Sequence, residues 1–292
     1  MRGKTLILLA ITALAGFPLH AKAASILGSA ESFAVLGGST VTNTHPTTVG
    51  GDLGVWPGTA VVGFPPGIVT GGTIHAGDAV AQQAQIDNTT AYNGLASMPF
   101  NSTNNLSGQD LGGLTLTSGV YHFDSSAQLT GKLTLDAQGN NNAFWVFQIG
   151  STLTTASASA VNIINVGSNG GSDDGLFWKV GSSATLGTTT NFEGNILALA
   201  SITLNTGATI DNGRALAQTA AVTMDTNTIT IASLPPNNGP GLSGGLKFDN
   251  NGNVVPIGPS GAVPEPASFV LLGLGSGLVG LLAFRKRLLT GV

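Results

Sequence analysis

Hydrophobic and polar positions alternate in short runs along most of the chain, and the runs repeat. Four segments align without gaps: Ser151-Thr152-Leu153-Thr154-Thr155, Ala184-Thr185-Leu186-Gly187-Thr188, Ile202-Thr203-Leu204-Asn205-Thr206 and Val222-Thr223-Met224-Asp225-Thr226. Each reads small or apolar, Thr, Leu or Met, any residue, then a Thr. Their offsets are 33, 18 and 20 residues, and the long first interval contains the polar run from Gly167 to Gly175, whose removal brings it near twenty. A shorter copy, Gln128-Leu129-Thr130-Gly131, precedes them. Short β-branched strands separated by Gly and Asn turns at this period predict an all-β solenoid, in which each strand pairs with its equivalent one coil, ~4.8 Å, away. Leu153, Leu186, Leu204 and Met224 then stack inward, and Thr152, Thr185, Thr203 and Thr223 point outward, because strand side chains alternate. Thr155, Thr188, Thr206 and Thr226 form a second column. Three residues along one strand reverses the face, so a corner or bulge must separate the two columns.

One stretch breaks the strand habit. Residues 76–97 are rich in Ala and Gln and place Val80, Ala84, Ala91 and Leu95 at spacings of four, seven and four, which predicts an amphipathic helix. Asp78 sits near its start, where a carboxylate favours the helix dipole, and Pro99 lies just past its end. A helix of this length reaches ~33 Å and can cover one apolar flank of the solenoid. Segments before it, Ser39 to Asn43 and Thr48 to Leu53, read as further strands that complete coils at one end.

The two ends read as addresses. Residues 1–23 carry Arg2 and Lys4, an apolar run from Leu6 to Leu19, and Ala21-Lys22-Ala23, the pattern of a cleaved secretory leader. At the far end Val263, Pro264, Glu265 and Pro266 precede an uncharged stretch, 267–284, long enough to cross a bilayer as a transmembrane helix, and then Arg285-Lys286-Arg287. This tripartite tail over 263–292 resembles the PEP-CTERM sorting signal of Gram-negative bacteria. The resemblance implies export through the inner membrane, passage through the membrane by the C-terminal segment, processing by an exosortase-type enzyme, and delivery to the cell surface, the extracellular matrix or the medium. A permanent single-span anchor is the alternative. Between body and tail, residues 235–262 contain seven Gly, five Pro and five Asn, the composition of a flexible linker. The folded domain is therefore expected over residues 24–234.

Composition narrows the chemistry. With 42% hydrophobic and 8% charged residues, 43 Gly and 33 Thr, the chain is too apolar and too weakly charged for ordinary disorder. Residues 24–262 hold Lys132, Lys179, Arg214 and Lys247 against thirteen acids, a net of 4 − 13 = −9, which argues against nucleic acid as a partner. Cysteine is absent, the four His are dispersed without metal spacing, and Asp173-Asp174 reads as a solvated turn, so no metal and no cofactor is expected. Nucleophile-elbow, phosphate-loop and zinc-protease motifs are missing, and the repeats place Thr where a polysaccharide-cleaving β-helix would need acids. No enzyme is expected. Trp56, Trp145 and Trp178 have the chemistry of a sugar platform, but Trp145 and Trp178 sit in apolar runs and read as core.

A Thr column offers a hydroxyl that donates and accepts, and a methyl that excludes disordered water, at a repeat of ~4.8 Å. Thr is also what any solenoid strand favours, so the array alone does not fix a function. A further resemblance does more. The phrases Leu27 to Leu36, Thr48 to Val55, Gly71 to Asp78, Leu111 to Tyr121 and Gly194 to Leu199, in this order around an Ala-rich helix, resemble the bacterial and microbial ice-binding (antifreeze) protein family over about residues 25–232. That resemblance implies a right-handed parallel β-helix with one long α-helix packed alongside, a non-catalytic function, and an ice crystal surface as partner. The family's loose Thr-(Ala/Gly)-x-(Thr/Asn) pattern is met in full by Thr206-Gly207-Ala208-Thr209 and in part by segments starting at Thr155, Thr188 and Thr226. The residues implied to meet ice are thus Thr152, Thr155, Thr185, Thr188, Asn191, Thr203, Thr206, Thr209, Thr223 and Thr226. The alternative is a surface adhesin or matrix structural protein using the same scaffold without ice affinity.

Overall fold

A computed structural model describes residues 26–168, 175–231 and 246–256. Within these, strands of three to nine residues wind into a right-handed parallel β-helix with three faces. The first face is a seven-stranded parallel sheet of Ala127–Leu129, Leu153–Thr155, Ala184–Leu186, Ile202–Leu204, Val222–Met224, Thr40–Asn43 and Ala60–Val62, in that spatial order. We call it the threonine face. The second, mixed face runs Thr115–Thr117, Lys132–Asp136, Ala160–Ile164, the starts of Asn191–Ala198 and Thr209–Ala217, then Thr228–Thr230, Thr48–Gly50 and Ile68–Thr70. The third face stacks Gly119–Phe123, Phe144–Ile149, Gly175–Val180, the ends of the same two long strands, Phe33–Gly37, Asp52–Val55 and Ile74–Ala76.

Both long strands turn a corner without stopping. The register between them slips after Glu193, where Gly194 has φ 93° and Asn212 φ 49°. A Cβ on Gly213 would lie 1.9 Å from the Gly194 carbonyl oxygen, so stacked coils can bend at this point only through glycine.

The stacking order departs from the chain order. Val35 pairs with Ala215, Val41 with Val222 and Thr48 with Thr228, which sets the N-terminal strands beyond the last C-terminal coil. The buried Arg214 guanidinium holds them there: it donates twice to the Glu31 carbonyl and once, at 2.7 Å, to Asn195 Oδ1. The chain must then return to the opposite end, and the helix, Ala79–Ala96, makes the return. Asp78 caps it by accepting from Ala81 N at 2.9 Å. At the far end Gln148 Nε2 donates to the Leu95 and Met98 carbonyls, both at 2.8 Å, satisfying groups that a helix C-terminus leaves open.

The interior is filled by stacked apolar side chains, among them Tyr121, Phe147, Trp178 and Phe192, whose successive ring centroids are 5.5, 4.0 and 4.9 Å apart. Trp145 and Trp178 are buried, as their apolar surroundings predict, and donate Nε1 to the Leu116 and Glu193 carbonyls. A second core lies between the helix and the third face, where Leu36, Val120, Val146, Phe177, Leu197 and Leu216 point outward from the strands and are covered. Those strands are apolar on both sides and lose the in–out alternation seen elsewhere. Each such Leu or Phe removed from water contributes roughly 1.5–3 kcal/mol.

Three sequence expectations need correction. The helix buries Ala81, Ala84, Gln85, Asn88, Ala91, Tyr92 and Leu95, while Val80 is 48% exposed. Ala at the contact lets the helix lie close to the sheet, and buried Gln85 is admitted because its Nε2 donates to the Gly37 and Ala217 carbonyls. Secondly, part of the stretch read as a flexible linker is folded: Leu246–Phe248 and Val254–Pro256 pair as an antiparallel hairpin that buries Leu246 and Val254 against the helix. The turn chemistry of Asp249, which accepts from the backbone N–H groups of Asn251 and Asn253, accounts for its Asn and Gly content. The third correction concerns the repeat register. Leu153 pairs with Ala184 and Thr154 with Thr185, so Thr154, not Thr152, is the equivalent of Thr185. The leader and the tail lie outside the described residues.

Candidate functional site

The outward positions of the threonine face form a straight column. Register partners run Gln128, Thr154, Thr185, Thr203, Thr223, Thr42 and Val62, so five consecutive strands present Thr at the same place. Alternation fixes this orientation, since the flanking positions, such as Ile202 and Leu204 or Val222 and Met224, are buried. Thr42 Oγ1 reaches Thr223 Oγ1 at 3.4 Å. Two residues upstream runs a second row of small hydroxyls, in which Thr152 Oγ1 donates to Ser126 Oγ at 2.8 Å and Ser201 Oγ to Ser183 Oγ at 2.9 Å. Leu153 N binds the Ser183 carbonyl and Ala184 N that of Ser201, which confirms that these residues are equivalent. Neither row contains a charged residue.

The remaining residues implied by the resemblance separate into three places. Thr155 is buried, in line with Leu186, where its hydroxyl bonds Thr190 Oγ1 at 2.8 Å and accepts from Gly187 N at 2.8 Å. It faces the core, and is corrected from an outward position. Thr188, Thr206 and Thr226 are exposed at the corner that follows the threonine face. Thr226 has φ 57° and falls in line with Thr189 (φ 55°) and Gly207 (φ 74°) instead of with Thr206, because its coil is one residue shorter there. Asn191 and Thr209 are register partners on the mixed face, beyond the corner, so the motif Thr206-Gly207-Ala208-Thr209 spans two faces. Sequence reasoning missed Thr154, Thr42, Ser126, Ser183 and Ser201. Val41-Thr42 carried the signal for Thr42, since it matches the in–out order of Val222-Thr223, its register partners.

Electrostatics distinguish the faces. At the corner the Asp225 carboxylate accepts from Thr206 Oγ1 at 2.6 Å, from His45 Nδ1 at 2.7 Å and from Thr226 Oγ1 at 3.0 Å. The Thr206 hydroxyl first, then His45, hold it below the usual carboxylate range. On the mixed face Lys132, Asp136, Glu193 and Asp211 all occur in the strands. Burial, reinforced by Asp211, pushes the Glu193 carboxyl up to about 7. Among the described residues no three His, Asp or Glu side chains converge as a metal site would require. The strands of the threonine face therefore carry no charge and repeat their hydroxyls at the coil spacing, and what such a face can do chemically is order water by weak repeated hydrogen bonds between methyl groups.

The chain is similar to known proteins over most of its length. Residues 35–230 match the family model described as ice-binding-like, and residues 262–287 match the PEP-CTERM protein-sorting motif. An ice-binding protein of Nostoc sp. (strain HG1) is 55% identical over 291 residues, 99% of this chain and 97% of that protein. The crystal structure of an ice-binding protein from the Antarctic ascomycete Antarctomyces psychrotrophicus superposes with a TM-score of 0.66 at 40% identity, covering 72% of this chain and all (100%) of the other. That of an ice-binding protein from an Antarctic biological consortium gives 0.65 at 45% identity, covering 78% and 96%. With a matched body, a matched tail and a relative aligned nearly end to end, this chain belongs to the ice-binding-like family.

Proposed function

We propose that this chain is an exported ice-binding protein that adsorbs to ice through the threonine face. Adsorption inhibits ice growth and recrystallisation, or tethers cells to ice. The observation that carries the reading is the unbroken column Thr154, Thr185, Thr203, Thr223 and Thr42 on a sheet without outward charge. Ice differs from liquid water in order, so its recognition calls for a rigid array that holds waters at fixed spacing. The two cores supply the rigidity and the coil repeat supplies the spacing. Each hydroxyl contributes only ~0.5–1.5 kcal/mol net, and useful affinity comes from many engaging together. Charged side chains would orient waters around themselves, which favours this face over the mixed one. The sorting tail supports export and exosortase-type processing, with the cell surface or the surrounding matrix as destination.

The test is ice recrystallisation inhibition by a double variant, Thr203→Tyr with Thr223→Tyr, beside Thr209→Tyr with Thr228→Tyr on the mixed face. Loss in the first pair alone, with unchanged circular dichroism, supports the assignment. Loss confined to the second pair moves the surface to the mixed face, and a folded wild type without inhibition overturns ice binding.

A further inference from the structure

A shallow groove of about 380 Å³ runs along the helix where the third face turns toward the threonine face, lined by Trp56, Pro57, Gln85, Ile86, Thr89, Thr90 and Gln218. Its volume lies within the ~300–1,000 Å³ typical of small-molecule sites. We propose that this groove binds hexopyranose units of a neutral polysaccharide, a function separate from ice adsorption.

The argument starts from the tryptophans. Trp145 and Trp178 are buried with Nε1 engaged, whereas Trp56 is only partly covered and offers its indole to the groove. Ile86, 52% exposed, and Pro57 extend the apolar surface. A pyranose ring has an apolar C–H face that lies flat on such a platform, and a rim of hydroxyls that both donate and accept.

The polar lining matches that rim. Thr89 Oγ1 donates to the Gln85 carbonyl at 2.9 Å and Thr90 Oγ1 to that of Ile86 at 3.0 Å, so both hydroxyl oxygens keep lone pairs for a ligand donor. Gln218 lines the groove, and its Nε2 is buried with no partner. An unmet buried amide carries a desolvation cost that a ligand hydroxyl relieves. Gln85 is committed to the sheet through its Nε2 and to Asn88 through its Oε1. No lining residue is charged, which disfavours uronic acids and sulfated sugars, and a purely apolar ligand would leave the Gln218 amide unsatisfied.

The test is affinity electrophoresis of the full chain in gels containing laminarin, hydroxyethyl cellulose or dextran, with alginate as the anionic control. Retardation in a neutral polymer and a saturable change in tryptophan emission with the matching oligosaccharide are expected. Trp56→Ala should bind roughly tenfold more weakly or less. Thr90→Lys, at an exposed helix position that does not threaten folding, should act likewise by filling the groove. Both should keep circular dichroism and ice recrystallisation inhibition. No retardation in any neutral polymer, retardation in alginate alone, or equal retardation of both folded variants would overturn the proposal.

Discussion

Thr42 and Thr223 stand 181 residues apart in the chain and opposite each other on adjacent coils, with hydroxyls 3.4 Å apart. The threonine face is thus assembled from both ends of the body. Thr42→Val should weaken recrystallisation inhibition by less than about tenfold, the loss of one hydroxyl. Thr42→Tyr should remove most of it, because one bulky ring holds ice away from neighbouring strands. A folded Thr42→Tyr protein with wild-type inhibition would remove the N-terminal strand from the surface.

Thr155 carries the opposite expectation. Its hydroxyl is buried between Thr190 and the Gly187 N–H, so Thr155→Val should cost about 1–3 kcal/mol by leaving the Gly187 N–H unpaired and Thr190 with the Ala156 carbonyl alone. Chemical denaturation measures the cost, and inhibition per folded molecule should not change. A loss of inhibition at full stability would return Thr155 to the surface.

Glu193 introduces a pH dependence. Burial and its register partner Asp211 raise its carboxyl from 4.5 to about 7 in the folded protein. A carboxyl whose folded pKa lies above its unfolded value binds its proton more tightly when folded. Its contribution is complete below about 4.5 and is lost as pH rises through about 7. Glu193→Gln, neutral at all pH, should melt with the wild type near pH ~4 and a few degrees above it at about pH 8. Parallel melting curves at both pH values would contradict the burial of that charge.

The hairpin of Leu246–Phe248 and Val254–Pro256 seats Val254 against Gly94 of the helix. A chain ending at residue 234 should therefore melt below one ending at 256, and Val254→Asp should reproduce most of the difference, about 2–4 kcal/mol, by placing a carboxylate in an apolar contact. Equal melting temperatures for the two lengths would mean that the hairpin contributes nothing to the fold.

Periodicity made the solenoid, the helix and the ladder of Leu186, Leu204 and Met224 legible, because inward positions demand large apolar side chains at the coil repeat. It also named Thr185, Thr203 and Thr223 correctly as outward. The segment at 151–155 misled because its Leu153 fills the first of two inward positions, where the next coil has Ala184, and Thr155 fills the second. A buried Thr paired with Thr190 can stand where its neighbours have Leu, and aligning Leu153 with Leu186 then shifts everything by two. The stacking of the N-terminal strands on the last coil depends on pairings across most of the body, which no local pattern records. Hairpin residues 246–256 were hidden by their composition, since Gly, Pro and Asn serve a tight turn as readily as a loose tether.

That stacking order has a consequence for biosynthesis. Strand Thr40–Asn43 leaves the ribosome early, yet its neighbour Val222–Met224 follows about 180 residues later, a wait of roughly 10–40 s at 5–20 residues per second. Coils from Thr115 onward can wind as they emerge, each on the one before. The opening strands can wind on one another, Ala60–Val62 on Thr40–Asn43, but join the rest only when the final turns of the β-helix arrive to receive them.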